Sequence, residues 1–338
     1  MVLRSAPRVR CVRVAVVFVV LAACSRTGDP DRPPAPATAQ TSGPRAELPL
    51  ARTEVAGAGW LGRLVLVGGL TREGAASDRV DLYDSGADRW EPGPALPLAL
   101  HHAGLAVVGE RVYVAGGYTD EGGRWVAQAR VYSLGPGERA WRDEPPLSQA
   151  RGGLALAATD SHLVAIGGAT GAAVTATTEV LTPARPGGWR PGPDLSEERD
   201  HLGGASVGGR VYAVAGRVGG LDTNLATVES WDPDGGAGWR PEPRLNDTRG
   251  GSSAARVGGK LCVAGGEEPG GTIASVECLV GDRWERTARL ASPRHGLAVA
   301  GLDGRLHVVG GGPEPGLSVS SAHEVLAVAP GSDRKATP

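Results

Sequence analysis

RVYVAGG at 111–117 is one copy of a strand-and-turn pattern that recurs along the whole chain. The other copies are RLVLVGG at 63–69, HLVAIGG at 162–168, RVYAVAG at 210–216, KLCVAGG at 260–266 and RLHVVGG at 305–311. Each copy is an apolar run of strand length that ends in glycine, which is typical of a strand leading into a tight turn. Their spacing of 45–51 residues indicates a repeat architecture with six units.

Two further positions repeat in register with the glycine turn. The first lies 16 residues before the turn in all six units and holds Arg52, Leu100, Arg151, Arg199, Arg249 and Arg294. The second lies ten residues before that one in five units and holds Trp90, Trp141, Trp189, Trp239 and Trp284. We predict that these tryptophans pack between neighbouring units. We also predict that the glycines permit a close backbone approach: Gly68, Gly69, Gly116, Gly117, Gly167, Gly168, Gly265, Gly266, Gly310 and Gly311.

Four short strands in a unit of about 48 residues correspond to one blade of a β-propeller. The glycine turn of RVYVAGG, the acid-aromatic strand VDLYD at 80–84 and the spaced Trp90 together resemble the Kelch repeat, over roughly residues 40–328. WD40 repeats fit less well, because Trp231-Asp232 is the only WD pair. The resemblance implies an all-β, six-bladed Kelch-type propeller with four antiparallel strands per blade.

The last unit supplies only three strands, over 295–300, 305–311 and 322–329, and no tryptophan follows them. Ala39–Pro44 occupies the position of the missing fourth strand, at the opposite end of the chain. We therefore predict a propeller domain over 39–329, in which this N-terminal strand closes the sixth blade and removes an open sheet edge.

The first residues have the pattern of an export signal. Four arginines within residues 1–13 precede the apolar run Val14–Ala23, which is too short for a membrane-spanning helix of about 20 residues. Leu21–Cys24 resembles the lipobox of bacterial lipoproteins. That resemblance implies a signal peptide over 1–23, an acylated Cys24 and a lipid-anchored place in the cell envelope, at the outer membrane or the periplasmic face. Ordinary cleavage near Ala23 is the alternative. A Pro-rich tether over 24–38 and a polar tail over 330–338 flank the propeller.

The repeated arginines lie at the start of the innermost strand, so we expect them at one mouth of the central channel. An arginine-lined mouth suits a carboxylate, a sugar acid or an acidic peptide. The candidates for ligand binding are Arg52, Arg151, Arg199, Arg249, Arg294, His102, His201 and His295. Alternatively, each arginine pairs with an acid of its own blade, and the two roles can coexist. The acids are Asp81, Glu179, Glu229, Glu277 and Glu324, with Arg130 at that position in the blade that has Leu100.

The remaining motifs predict no catalytic residue, no metal site and no cofactor. A formal charge of −2 gives no footprint for nucleic acid. GAGWLG at 57–62 and GASVG at 204–208 match nucleotide-loop and nucleophile patterns, but no helix follows either. Cys262 and Cys278 lie on adjacent predicted strands, either as a disulfide or as two buried thiols.

These observations favour an exported, lipid-anchored, monomeric propeller that binds a partner through the loops at the channel mouth. The expected partner is another envelope protein, an anionic small molecule or a glycan. The alternative is an enzyme resembling the periplasmic Kelch sialic-acid mutarotases, which would exchange the anomers of a sugar acid. A third hypothesis is that the propeller serves only as a rigid spacer.

Overall fold

The computed structural model describes residues 41–42, 45–171 and 173–328. The predicted signal peptide, lipobox, tether and polar tail lie outside these residues. Within them, no helix has the length and apolar character that a membrane span requires.

Six four-stranded antiparallel sheets form the blades of a propeller. Blade 1 contains Ala56–Trp60 (β2), Arg63–Val67 (β3), Val80–Asp84 (β4) and Arg89–Pro92 (β5). Blade 2 contains Gly104–Val108 (β6), Arg111–Ala115 (β7), Val131–Leu134 (β10) and Arg142–Glu144 (β11). Blade 3 contains Ala155–Ala158 (β12), Leu163–Ile166 (β13), Thr178–Leu181 (β16) and Arg190–Pro191 (β17). Blade 4 contains Gly203–Val207 (β18), Arg210–Val214 (β19), Val228–Trp231 (β20) and Arg240–Glu242 (β21). Blade 5 contains Ser253–Val257 (β22), Lys260–Ala264 (β23), Ser275–Val280 (β26) and Arg283–Arg289 (β27).

Blade 6 is built from both ends of the propeller sequence. Its strands are Ala298–Leu302 (β28), Arg305–Val309 (β29), His323–Leu326 (β30) and the N-terminal Thr41–Ser42 (β1). β1 pairs antiparallel with β30, and Thr41 lies opposite Leu326. The prediction that an N-terminal strand completes the last blade is therefore confirmed, as is the six-bladed fold; the rest of Ala39–Pro44 lies outside the described residues.

The hydrophobic core consists of six clusters, one at each interface between neighbouring blades. Between blades 1 and 2, for example, Val65 and Val67 of β3 pack against Val112 and Val114 of β7. The second strand of each blade is almost wholly buried because a neighbouring blade covers each of its faces. Each blade is therefore covered by a neighbouring blade on both of its faces.

The five repeated tryptophans link neighbouring blades. Each indole Nε1 donates a hydrogen bond to a backbone carbonyl of the preceding blade, and the acceptors lie at equivalent positions. They are Ala46, Pro94, Pro145, Pro193 and Pro243, for Trp90, Trp141, Trp189, Trp239 and Trp284 respectively, at 2.8–3.0 Å.

The glycine turn requires a left-handed backbone and very close packing. Gly68 has φ +63°, and a Cβ at this position would lie 2.4 Å from the carbonyl oxygen of Leu100 in the next blade. Ala215 takes the equivalent position in blade 4 with φ +59°. The sequence pattern therefore marks the place where each blade contacts the next one through its backbone.

Cys262 and Cys278 form a disulfide, which decides between the two alternatives left open by the sequence. They lie directly opposite each other on β23 and β26, and both are fully buried.

The loops between the second and third strands extend the propeller on the face where the innermost strands begin. Three of them form short hairpins: Tyr118–Asp120 (β8) with Trp125–Ala127 (β9), Ala169–Thr170 (β14) with Ala173–Val174 (β15), and Glu267–Glu268 (β24) with Gly271–Thr272 (β25). In blade 4 the loop holds the 3₁₀ helix Leu221–Thr223. Single bridges such as His101 with Tyr118 and Asp200 with Arg217 tie these loops to the segment before each innermost strand. We call this side of the propeller the mouth face.

Candidate functional site

The five repeated arginines are fully buried and bind the acid of their own blade. The pairs are Arg52–Asp81, Arg151–Glu179 (2.9 Å), Arg199–Glu229 (2.8 Å), Arg249–Glu277 (2.5 Å) and Arg294–Glu324 (3.2 Å). Arg151 also donates to the backbone carbonyls of Gly167 and Thr177. Burial lowers the pKa of Arg52 to about 10 although Asp81 opposes this effect. This arrangement is the structural pairing that the sequence left open, and direct ligand contact by the arginines stays an untested prediction.

The register predicted for blade 2 was wrong. In blade 1 the acid Asp81 lies opposite Leu66, two residues before the glycine turn. The residue opposite the equivalent Val114 of blade 2 is Tyr132 and not Arg130. Arg130 is an exposed side chain. The loop that carries β8 and β9 is two to four residues longer than its counterparts in the other blades, so a count from the glycine turn gives Arg130 instead of Tyr132. Leu100 and Tyr132 replace the ion pair with two buried side chains of one apolar cluster.

A closed ring of backbone hydrogen bonds surrounds the channel mouth. It passes through the residue two places after each arginine slot: Glu54, His102, Gly153, His201, Gly251 and Gly296. The amides of the five residues after Glu54 each donate to the carbonyl of the preceding ring residue at 2.8–3.1 Å, and Val55 N closes the circle by donating to Gly296 O at 3.2 Å. We call these six residues the mouth ring.

All six residues of the mouth ring have a left-handed backbone. Their φ values are +52°, +53°, +64°, +50°, +62° and +57° in chain order. Three of them are glycine, which adopts this conformation freely, whereas Glu54, His102 and His201 carry side chains in a region that L-residues visit rarely. Backbone strain of this kind clusters at functional sites. The three substituted positions therefore mark a candidate site.

The side chains of those three residues converge across the channel. His102 Nε2 lies 3.2 Å from Glu54 Oε2, and the rings of His102 and His201 have centroids 4.9 Å apart. Gly153 lies between the two histidines in the ring, and a Cβ there would approach His201 Nδ1 to 3.4 Å. The glycine of blade 3 thus leaves room for side chains of blades 2 and 4 to meet.

A second layer of charged side chains supports this cluster. His295 Nδ1 lies 3.2 Å from Glu54 Oε1 and 3.7 Å from Glu267 Oε2. Arg217 Nη1 donates to Glu267 Oε1 at 2.7 Å. Asp200 Oδ1 lies 3.1 Å from His201 Nδ1. The cluster therefore contains three carboxylates, and most of their neighbours are imidazoles.

Burial and charge act in opposite directions on these groups. Burial by itself would raise the pKa of Glu54, but the attraction of His102 and the hydrogen bond with His295 outweigh it and hold that pKa well below its ordinary value. Burial lowers the pKa of His102 well below its ordinary value, and lowers that of His101 to about 4. For His295, burial is outweighed by its contact with Glu54, so its pKa is raised. At neutral pH the mouth thus holds an ionised Glu54, whose pKa depends on its contacts with His102 and His295.

The channel below the mouth ring is narrow. It forms a cavity of about 110 Å³, lined by Glu54, His102 and His201 and by small residues of the innermost strands. Pockets for drug-sized ligands measure about 300–1,000 Å³. The cavity therefore has room for a few waters or an ion, and a larger ligand would have to rest on the mouth face.

Aromatic side chains form one edge of the mouth. Trp125 of β9 is 53% exposed, and its ring lies 4.6 Å from that of His101 and 5.2 Å from that of His102, between centroids. Tyr118 of β8 completes this group. On the blade 6 side, Leu317 is 56% exposed, and Gly316 beside it donates its amide to Glu267 Oε2.

The sequence identified the three histidines but not their partners. His102, His201 and His295 meet as part of one cluster, while the arginines named with them lie buried behind it. Glu54, Asp200 and Glu267 were not predicted as site residues. The sequence does contain one indication of Glu54. Three of the six mouth-ring positions are glycine, and Glu54 carries a charged side chain at this position instead.

Comparisons with known proteins agree with the fold. The Kelch motif matches residues 99–148 and 198–245. Human Kelch-like protein 34 is 42% identical over 99 residues, which cover 28% of this chain and 15% of that protein. Mouse Kelch-like protein 9 is 31% identical over 119 residues, covering 34% of this chain and 19% of that protein. The matched segments are thus less than a fifth of these relatives' own length.

Among solved structures, YjhT superposes with a TM-score of 0.73 at 14% identity, over 86% of this chain and 97% of that one. At this identity the likeness concerns the fold alone. The fold is thus that of a six-bladed propeller, and two of its segments match the Kelch motif.

Proposed function

We propose that this chain is an exported, lipid-anchored propeller that binds another protein of the cell envelope through its mouth face. The observation that carries the proposal is the rim of that face, where Trp125 and Leu317 are exposed beside the charged cluster. Exposed tryptophan is enriched at the centres of protein interfaces, because it buries a large rigid surface at little entropic cost. Cys24 provides the membrane attachment, and the propeller provides the binding surface.

An anionic small molecule or glycan is the second class of partner in this proposal. The geometry supports it less, because the five arginines are bonded within their blades and exposed acids outnumber exposed bases in the loops between the second and third strands. A protein partner with basic side chains around an apolar centre fits this charge pattern better.

Replacing the two rim residues should abolish partner binding without disturbing the fold. We expect the double variant Trp125→Ala/Leu317→Ser to bind the envelope partner at least tenfold more weakly, since both side chains are more than half exposed in the free protein. Photo-crosslinking from position 125 in intact cells identifies the partner, and titration of that purified partner with the full chain gives its affinity.

Leu61 provides the matched control for this experiment. It is 51% exposed in the turn between β2 and β3, at the far end of the innermost strand from the mouth. Leu61→Ser should leave the affinity unchanged. Equal crosslinking from positions 61 and 125, or full affinity in the double variant, would place the binding surface elsewhere.

The alternative function, anomer exchange on a sugar acid, is favoured by one feature. Glu54 Oε2 lies 3.2 Å from His102 Nε2, and a carboxylate and an imidazole in contact are a suitable acid–base pair for moving protons. NMR of freshly dissolved sialic acid in the presence of the protein tests this activity. An unchanged rate of anomerisation would end the alternative, and a rate that falls in Glu54→Gln would support it.

A further inference from the structure

We propose that Glu54, His102 and His201 bind one divalent transition-metal ion of the zinc type at the channel mouth, with open coordination positions towards the solvent. The potential ligand atoms of these three residues all lie within 4.8 Å of one another. The proposal goes beyond partner binding on the rim, and either one can fail without the other.

The geometry of the cluster suits an ion of this size. In a tetrahedral site the zinc bonds to histidine nitrogen and carboxylate oxygen are about 2.0–2.1 Å long, so two ligand atoms lie about 3.4 Å apart. His102 Nε2 and Glu54 Oε2 already lie 3.2 Å apart, and the most distant ligand atoms need to approach each other by about 1.4 Å at most. The side chains can do so by rotation, because the cavity beside them is open.

The donor set selects the class of metal. Two imidazoles and one carboxylate are ligands of zinc and of other borderline ions, whereas calcium and magnesium prefer oxygen alone. Three protein ligands are also the number that catalytic zinc sites use, with water in the remaining position. We therefore exclude a closed structural site with four protein ligands.

The surroundings of both histidines match those of metal-bound imidazoles. A metal-bound histidine usually has its second ring nitrogen beside another polar group, which orients the ring. Asp200 Oδ1 lies 3.1 Å from His201 Nδ1, and neither atom has a hydrogen-bond partner among the described residues, so this carboxylate is available to orient the ring and leave Nε2 for the ion. His101 Nδ1 lies 2.5 Å from His102 Nδ1, while His102 Nε2 faces Glu54.

The backbone adds an independent observation. Glu54, His102 and His201 are the three mouth-ring residues that hold a left-handed φ without being glycine. They come from three different blades, 48 and 99 residues apart in the chain. The residues that depart from glycine are thus the same three whose ligand atoms converge, which a purely structural ring would not require.

Cobalt(II) is the probe that tests this site, because its visible absorption reports the ligands around it. We expect the purified full chain, free of any histidine tag, to bind one equivalent of Co²⁺ with a visible d–d band that Zn²⁺ displaces. Loss of a residue that only orients a ligand costs about 10–100-fold in metal affinity. His102→Gly, His201→Gly and Glu54→Gly should therefore each weaken binding by about 100-fold or more.

Glycine is the appropriate replacement because blades 3, 5 and 6 already have it at this position, and circular dichroism verifies the fold of each variant. His162→Gln is the control: His162 lies in a turn of blade 3, outside the mouth ring, and its loss should leave the band and the affinity unchanged. The proposal is overturned if the wild-type chain gives no stoichiometric band, or if the three glycine variants bind Co²⁺ as tightly as the wild type.

Discussion

Arg151→Leu is expected to lower the free energy of unfolding by about 3–5 kcal/mol, the cost of leaving a buried charge without its partner. Glu179 is almost fully buried, and it would lose the Arg151 guanidinium at 2.9 Å. The backbone carbonyls of Gly167 and Thr177 would lose a donor as well. Urea unfolding of the variant and the wild type measures the difference.

Blade 2 supplies the compensating change. It has Leu100 and Tyr132 in place of the ion pair, and both are buried in the cluster between blades 1 and 2. Replacing a buried ion pair by packed apolar groups is often neutral for stability. We therefore expect Arg151→Leu/Glu179→Tyr to recover at least half of the stability lost in the single variant. If the single variant is as stable as the wild type, the pairs do not stabilise the blades.

The second large effect is a loss of stability in acid, caused by two histidines where the ring closes. His307 Nδ1 lies 3.0 Å from His323 Nε2, and both rings pack against Tyr83 of blade 1. Burial lowers the pKa of each to about 4. The charged groups that act on them are Arg45, Asp88, Arg294, Asp303 and Arg305.

The direction of the effect follows from proton uptake. In the unfolded chain these histidines titrate near pH 6.5, so between about pH 6.5 and pH 4 the unfolded state binds more protons than the folded state. Stability is therefore full above pH 6.5 and falls as the pH drops towards 4, by roughly 3–6 kcal/mol for the pair. Urea unfolding at pH 7, 6, 5 and 4 measures this loss.

His307→Val/His323→Val should reduce the loss of stability in acid by roughly 3–6 kcal/mol, and His101 and His102, whose pKa values burial also lowers, should keep their own contribution. Valine is the residue of blade 1 at both equivalent positions, Val65 and Val80, so the replacement suits the sheet. The control His162→Gln should keep the wild-type dependence on pH. An unchanged loss of stability in the double variant would assign the effect to other groups.

The fold could be read from the sequence because each blade repeats the same physical requirement. Gly68 and its counterparts lie where the backbones of two blades are in contact, so almost any side chain there would clash. Glycine or alanine therefore recurs at a regular spacing in the sequence. The register of blade 2 was not readable in this way. A hairpin such as β8–β9 can change length in solvent without disturbing the sheet, so counting from the glycine turn led to Arg130 instead of Tyr132.

The site was only half predictable for a different reason. His102 and His201 lie beside the repeated arginine slot and were predicted as site residues. The short distance between their rings, however, depends on the angle between blades 2 and 4 and on the absence of a side chain at Gly153. The spacing of residues along the chain does not predict that angle. Glu54 was not predicted, because in the sequence an acid beside an arginine slot cannot be distinguished from a surface carboxylate. Only the ring of backbone hydrogen bonds places it at the channel beside the two histidines.

His102 and His201 occupy strained backbone positions for the sake of the site and contribute little to the fold. Replacing a non-glycine residue at left-handed φ by glycine relieves about 1–2 kcal/mol of strain, and the greater freedom of glycine in the unfolded chain offsets roughly 0.5–1 kcal/mol of that gain. Removing side chains that the fold needs as buried ion pairs would instead cost about 3–5 kcal/mol. The two roles therefore differ by more than the error of an unfolding experiment.

Urea unfolding of His102→Gly/His201→Gly at neutral pH, without added metal, is the most direct measurement, because Glu54 then stays in place as the partner of His295. We expect a free energy of unfolding within about 1 kcal/mol of the wild type, or above it, because three blades already have glycine at this position. A loss of about 3 kcal/mol or more would show that these side chains hold the propeller together, and would contradict the account.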